Sequence, residues 1–214
     1  MKRGLLLLLI SVSFCMPGCK KDTVKNKPVE IGTTASDSYF PVTTGSTWRY
    51  QDGSSFFDIT ITDTTTVFDG KAYVNASSYD LAHSRLYEEY FYAGDHLFAT
   101  KFTPFENGHF DLQVLNDTMA VGHSWTAPPA YEGLIYQIKA TCTTTIKEKG
   151  ISMTIYGATF TNVVHTQVDM RYFVNNAYDE LGKYDFYFAK GVGIVKSTCS
   201  INGETREIRS YNIK

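Results

Sequence analysis

The chain has 214 residues, of which 43% are hydrophobic and 20% charged, a balance that excludes disorder along the whole chain and allows one domain of ordinary size. Its formal net charge is -2, so no basic excess exists to neutralise phosphate, and nucleic acid is excluded as a main partner. Aromatic residues make up 14% of the chain, with 15 Tyr and 14 Phe, and this composition favours β-strands.

The beginning of the chain has the layout of a bacterial export signal. Lys2 and Arg3 form a positive start, and the apolar segment that follows is about half as long as a membrane-spanning helix requires. Gly18 then precedes Cys19, and this ending resembles the lipobox of bacterial lipoproteins, in which the cysteine is acylated and becomes the first residue. The resemblance implies a signal peptide over residues 1–18 and a lipid anchor on Cys19. An ordinary secretory signal, with the cysteine present by coincidence, is the alternative.

Residues 19–38 lack hydrophobic periodicity and are rich in Lys, Thr and Ser, which predicts a flexible tether. Such a coil would span about 24 Å. The two or three acyl chains of a lipobox cysteine would anchor it stably in a bilayer. We therefore expect a lipid-anchored protein of the cell envelope, at the outer membrane, whose periplasmic or cell-surface placement stays open. The folded domain is predicted over residues 39–214.

Alternation of apolar and polar residues is the main signal in this domain. Residues 134–146 alternate throughout, and the turn residues 147–150 with the segment 151–160 predict a hairpin. Phe57, Ile59 and Ile61 alternate in the same way. Further alternating segments are at 168–174 and 184–188, and turn signals separate the segments, as at 52–53, 69–70 and 202–203. The sequence predicts an all-β single domain, an antiparallel meander forming a curved sheet, a half-barrel or a barrel.

Some predicted strands carry aromatic residues on both faces. The clearest runs from Leu86 to Tyr92, and such a strand is either covered on both sides or lines a groove. The residues predicted to line a ligand site are Tyr87, Tyr90, Phe91, Tyr92, Tyr184, Phe186 and Tyr187. The alternative is that these side chains fill the core of a small domain, with a second, smaller core under a loop.

Two cysteines, Cys142 and Cys199, lie in the predicted domain. Each falls on the apolar face of an alternating segment, and an exported protein folds in an oxidising compartment. A disulfide between them is therefore expected, and two buried free thiols are the alternative. Neither cysteine has a histidine or a second cysteine at a spacing that suits a metal.

No catalytic or metal-binding motif stands out. The five histidines are scattered singly, so no metal site and no cofactor are predicted. Glu88 and Glu89 are adjacent, and neighbours on a strand point to opposite faces, so they cannot act on one bond. A hydrolase would need carboxyl groups from separate strands, for example Glu88 with Asp185.

Two stretches resemble motifs of an uncharacterised lipoprotein family of Bacteroidetes-type bacteria. Residues 39–50 resemble the family's opening motif, FPxxxGxxWxY, and residues 187–196 resemble its closing motif, YFAxGVGIVK. Together they bracket nearly the whole domain. The family has no established activity, so the resemblance carries no functional residues over. We expect the motifs to be structural, with Trp48 and Tyr50 in the core, and Gly191 and Gly193 at a bend.

The sequence favours a non-catalytic protein that binds an apolar small molecule or an envelope partner. A carbohydrate-binding protein with open aromatic platforms is one alternative, and a hydrolase is another. The oligomeric state is left open.

Overall fold

The computed structural model describes residues 37–105, 108–128, 134–135 and 138–214. The predicted signal peptide, the predicted lipidation site Cys19 and nearly all of the predicted tether lie outside these ranges. The strands are β1 (Thr47–Asp52), β2 (Ser55–Phe68), β3 (Lys71–Asp80), β4 (Arg85–Gly94), β5 (Leu97–Phe105), β6 (Gly108–Asn116), β7 (Ser124–Ala127), β8 (Leu134–Ile135), β9 (Ile138–Ile155), β10 (Ala158–Val174), β11 (Ala177–Ala189), β12 (Gly193–Cys199) and β13 (Thr205–Asn212). The described ranges contain no helix.

The strands form one antiparallel, nearly closed, barrel-shaped sheet, which confirms the predicted all-β fold. Its order is β6-β5-β4-β3-β2-β1-β13-β12-β11-β10-β9-β7, and β8 pairs with β9 beside this path. Consecutive hairpins build each half of the sheet. The first and last strands join the halves, with Thr47 opposite Asn212. The chain therefore closes the sheet on itself through its two terminal strands.

The predicted alternation sets which side chains face the interior. Ile61 on β2 and Val168 and Met170 on β10 are fully buried. Asp169, between the last two, is on the opposite face and pairs with Arg171. Burial of one face and solvation of the other is the usual arrangement of an antiparallel sheet.

The hairpin predicted at residues 147–150 is wrong. Strand β9 continues through them to Ile155, and the chain turns at Tyr156 and Gly157, which both have positive φ. Gly150 also has a positive φ of 72°, and the pairing of β9 with β10 shifts register in this region. The glycine therefore makes an irregularity inside a long strand rather than a turn, as in a β-bulge.

The two ends of the sheet meet through side chains rather than through a backbone ladder. Thr166 on β10 donates its hydroxyl hydrogen to the Val114 carbonyl at 2.7 Å, and Thr144 on β9 donates to the Gln113 carbonyl at 2.6 Å. Both acceptors lie on β6, on which Leu112, Val114 and Leu115 are fully buried, and this contact of β6 with β9 and β10 is the seam of the barrel. Side chains fill the interior of the barrel on the side of the seam, and the open space lies on the other side.

The expected disulfide is not formed: Cys142 and Cys199 are both buried free thiols. Cys142 lies opposite Met170 on β10, and Cys199 lies opposite Tyr184 on β11. Two strands thus separate the cysteines, which puts them roughly 14 Å apart along the sheet at the usual strand spacing. A disulfide needs Cα atoms within about 7 Å.

Candidate functional site

A cavity of about 980 Å³ occupies the barrel on the side away from the seam. Its walls come from β1 to β5 and from β10 to β13. Nine aromatic side chains line it: Phe40, Trp48, Tyr50, Phe57, Tyr87, Phe91, Tyr172, Tyr184 and Phe186. A large, mostly apolar concavity with few polar groups is the usual form of a small-molecule site.

The floor of the cavity is made where the two motifs at residues 39–50 and 187–196 meet. The Trp48 indole N–H donates to the Val192 carbonyl at 2.7 Å, and the Tyr50 hydroxyl donates to the Ile194 carbonyl at 2.8 Å. Gly193 has a φ of 103°, and a Cβ atom there would lie 3.6 Å from Trp48 Nε1. Both motifs therefore have the structural role expected of them, which is to join β1 to β12 under the cavity.

Phe40 completes this floor from the segment that precedes β1. Its ring lies 5.0 Å from the ring of Phe91 and 6.2 Å from that of Phe188, in edge-to-face geometry, and it is buried. Such aromatic pairs are favourable beyond the area that they bury. The chain thus enters the domain beneath the cavity and closes that end of it.

The mouth of the cavity lies at the opposite end, where the lining residues are exposed. Tyr87, at 38% exposure, and Ile201, at 47%, both line the cavity and face solvent. The turns of the β1–β2, β3–β4, β10–β11 and β12–β13 hairpins all fall at this end. Of the ten exposed large hydrophobic side chains in the described ranges, eight are here: Tyr79, Leu81, Leu86, Tyr87, Ile138, Phe173, Tyr178 and Ile201. The apolar lining thus continues onto the rim.

Of the seven aromatic residues predicted to line a site, the structure places some in the cavity and others outside it. Four of them line the cavity: Tyr87, Phe91, Tyr184 and Phe186. Tyr187 is on the outer face, where its ring stacks on His165 at 4.3 Å. Tyr90 and Tyr92 also lie outside the cavity, so the structure does not bring these three side chains into one lining with the other four. Strand alternation is the reason, since inward and outward positions are one residue apart.

Tyr90 and Tyr92 belong to a second, smaller core on the outer face of β2 to β5, as one alternative from the sequence proposed. Tyr90 is buried and packs edge-to-face on Phe68 at 5.0 Å. Lys101 is also buried here, with its ammonium group 4.1 Å from the centre of the Phe68 ring. Strand β4 is therefore covered on one face and lines the cavity on the other.

Glu89 is a half-buried acidic group of the cavity wall. It shares the inward face of β4 with Tyr87 and Phe91. Burial raises the pKa of its carboxyl group, while the positive charge of Arg206 and a hydrogen bond from Ser78 oppose that rise. Strand alternation predicts opposite faces for Glu88 and Glu89, but the predicted lining did not include Glu89. Alternation could have identified Glu89, because Tyr87 and Phe91, both in the predicted lining, lie two residues before and two residues after it on the same face of the strand.

Arg206 is the guanidinium group that faces the cavity from β13. Its Nε atom donates a hydrogen bond to a Glu204 carboxylate oxygen at 2.5 Å, and its Cζ atom lies 4.3 Å from the centre of the Phe57 ring. This is the stacked arrangement of a cation–π contact. Arg206 is thus positioned by a carboxylate and by an aromatic wall before any ligand binds.

The rim of the cavity carries a separate polar group. His83 Nδ1 lies 2.7 Å from an Asp80 carboxylate oxygen, and the other oxygen accepts hydrogen bonds from the backbone N–H groups of Ala82 and His83. Burial alone would raise the pKa of Asp80, but these hydrogen bonds outweigh it and hold the pKa below its usual value. The carboxylate therefore stabilises the β3–β4 turn.

Glu88 and Asp185, the carboxyl pair considered for a hydrolase, are not brought together. Glu88 accepts a hydrogen bond from the Tyr90 hydroxyl on the outer face of β4. Asp185, on β11, has a carboxylate oxygen 2.8 Å from His165 Nε2, and five strands stand between β4 and β11 along the hydrogen-bonded path through β1. Each carboxylate thus has its own partner elsewhere on the barrel.

In the part of the chain that the structure describes, no group of three His, Cys, Asp or Glu side chains is placed to hold a metal ion. The described ranges also contain no helix of the length and hydrophobicity needed to cross a membrane. A comparison with protein-family models, one with curated proteins and one with solved structures each gave no match.

Proposed function

We propose that this protein binds an apolar small molecule inside its barrel, without catalysis, and that it does so as a lipid-anchored protein of the cell envelope. The observation that carries the proposal is the 980 Å³ cavity lined by nine aromatic side chains. The volume suits a molecule of drug or lipid-chain size. The apolar rim gives such a molecule a continuous path from solvent to the interior.

Enclosure of the aromatic groups favours this function over carbohydrate binding. A glycan platform requires aromatic rings that are open on one flat face. Phe91 and Phe186 are buried in the cavity wall, Tyr90 is buried in the outer core, and Tyr187 is covered by His165. Of the seven residues considered, Tyr87 is the one that is largely exposed, so no flat platform is formed from this set.

The charged groups of the cavity favour binding over hydrolysis. A glycosidase-like hydrolase needs two carboxyl groups that face one another across the scissile bond. Glu204 is bonded to Arg206, and Asp80 is bonded to His83. Glu88, the remaining acid of the lining, is bonded to Tyr90, so each of the three other acids already has a partner of its own.

A fluorescent probe tests the proposal directly. The full chain carrying Cys19→Ser, which prevents acylation and permits work without detergent, is titrated with the uncharged probe N-phenyl-1-naphthylamine. We expect an increase in fluorescence that saturates at one probe per chain, because the probe moves from water into an apolar cavity.

Two tryptophan variants at neighbouring positions of β2 provide the control. Ile59 faces the cavity, whereas Thr60 is exposed on the other face of the strand. Ile59→Trp fills part of the cavity and should lower the affinity for the probe by at least about tenfold, a loss of roughly 1.4 kcal/mol. Thr60→Trp should leave the affinity unchanged. Equal binding by both variants, or no saturable binding by the parent chain, would refute the proposal.

A further inference from the structure

Glu89 is a carboxyl group in an unusual place for a purely apolar cavity. It lies half-buried in the cavity wall, between inward-facing aromatic side chains of the same strand, Tyr87 and Phe91. It accepts a hydrogen bond from Ser78 and is attracted by the charge of Arg206, but it forms no ion pair with any residue that the structure describes. A carboxylate that is partly withdrawn from water and has no paired cation is disfavoured, and a ligand can supply the missing charge.

Arg206 does not favour an anionic ligand, because its charge is already balanced. Its Nε atom is bonded to Glu204, and its guanidinium group is stacked on Phe57. The charged side chains that line the cavity are two guanidinium groups and four carboxyl groups, Arg85, Arg206, Asp80, Glu88, Glu89 and Glu204, so negative groups are in excess. A ligand carboxylate placed beside Arg206 would meet Glu204 and Glu89, whereas a ligand cation would reduce the negative excess.

The aromatic walls provide the second half of a cation site. Aromatic faces attract ammonium groups through the ring quadrupole, most strongly where water is excluded. Tyr87 and Phe91 flank Glu89 along β4, so a cation beside the carboxylate would also lie against aromatic side chains. Burial raises the pKa of the Glu89 carboxyl group, and a neighbouring ammonium group would lower that pKa.

We propose that the ligand is an apolar amine: a molecule with an alkyl or aryl body in the aromatic cavity and an ammonium group beside Glu89. This inference rests on the proposed function, since it requires the cavity to bind a small molecule. It adds the charge of the ligand and the residue that recognises it.

Three ligands with the same twelve-carbon chain separate the body of the molecule from its head group. Dodecylamine, dodecanol and dodecanoate are each used to displace N-phenyl-1-naphthylamine from the full Cys19→Ser chain at pH 7.5, below their micelle concentrations. We expect dodecylamine to displace the probe at a concentration at least about tenfold lower than dodecanol. Dodecanoate should be the weakest of the three.

Adjacent glutamates on β4 give a matched pair of variants. Glu89→Gln removes the charge between Tyr87 and Phe91, and Glu88→Gln removes a charge at the exposed edge of the cavity, where Glu88 already bonds Tyr90. Glu89→Gln should abolish the preference for the amine and leave dodecanol binding unchanged, whereas Glu88→Gln should keep the preference.

The outcomes distinguish this inference from the proposed function. If the probe binds but dodecanol or dodecanoate competes as well as the amine, or if Glu89→Gln keeps the preference, the amine proposal is overturned while the cavity retains its binding function. If the probe does not bind the parent chain at all, the proposed function fails and the amine proposal fails with it.

Discussion

At the scale of single residues, Glu89 makes the stability of the protein depend on pH. Burial raises the pKa of its carboxyl group in the folded state above the value of an exposed glutamate. The folded chain therefore holds this proton more tightly than the unfolded chain does. The contribution of Glu89 to stability is fully present below the ordinary pKa of glutamate and is lost as the pH rises through the raised value.

Replacement by glutamine should remove this dependence. In the ligand-free protein we expect Glu89→Gln to raise the free energy of unfolding at pH 7.5 by on the order of 1 kcal/mol and to change it little at pH 4. Chemical denaturation at the two pH values measures the difference, and Glu88→Gln controls for the loss of one negative charge. A Glu89→Gln chain that is less stable than the parent at pH 7.5 would show that Arg206 and Ser78 outweigh burial.

The two free cysteines show what strand alternation predicts about a single residue and what it does not. Alternation correctly placed Cys142 and Cys199 on buried faces, and burial raises the pKa of the Cys142 thiol to about 12. Alternation gives the face of a strand but not the order of strands in the sheet. The disulfide was expected from the faces alone, and the two strands between the cysteines rule it out.

At the scale of elements, the seam between β6 and strands β9 and β10 depends on threonine hydroxyl groups. Thr166 is fully buried, and its hydroxyl satisfies the Val114 carbonyl. Thr166→Val keeps the shape of the side chain but leaves that carbonyl without its donor. We expect a loss of about 1–3 kcal/mol in the free energy of unfolding, measured by chemical denaturation.

Thr126 offers the control for this substitution. Its hydroxyl bonds that of Thr143 at 3.0 Å on an exposed face between β7 and β9. Because water can replace that partner, Thr126→Val should change stability by no more than about 0.5 kcal/mol. Similar losses in the two variants would mean that the seam bond has no special role in closing the barrel.

The strand elements themselves were largely predictable, because alternation is a local property of the sequence. The segments at 57–61, 168–174 and 184–188 fall in strands with the expected inward faces. The predicted turn at 147–150 failed, since a glycine with positive φ serves equally in a turn and in a bulge. The length of β9 is decided by its partner β10, which lies later in the chain.

At the scale of the whole molecule, the cavity is a product of closure that no single segment encodes. Strands β1 and β13, at opposite ends of the domain, pair to complete the wall, and Arg206 faces Glu89 as a result. Four of the seven residues expected to line a site do line the cavity, because each lies at an inward-facing position of its strand. Trp48, Tyr50 and Phe57 were expected in the core or on an inward face, and only the closed sheet shows that they also line the cavity.

The central claim is that this cavity holds an apolar ligand, and native mass spectrometry tests it most directly. The full Cys19→Ser chain and its Ile59→Trp variant would be purified without detergent from bacteria that export the protein, then weighed before and after denaturation. We predict a bound small molecule that is released from the parent chain on denaturation and is reduced or absent in Ile59→Trp. A parent chain that, like the variant, shows only its own ligand-free mass, and that gains no mass when dodecylamine is added, would contradict the claim.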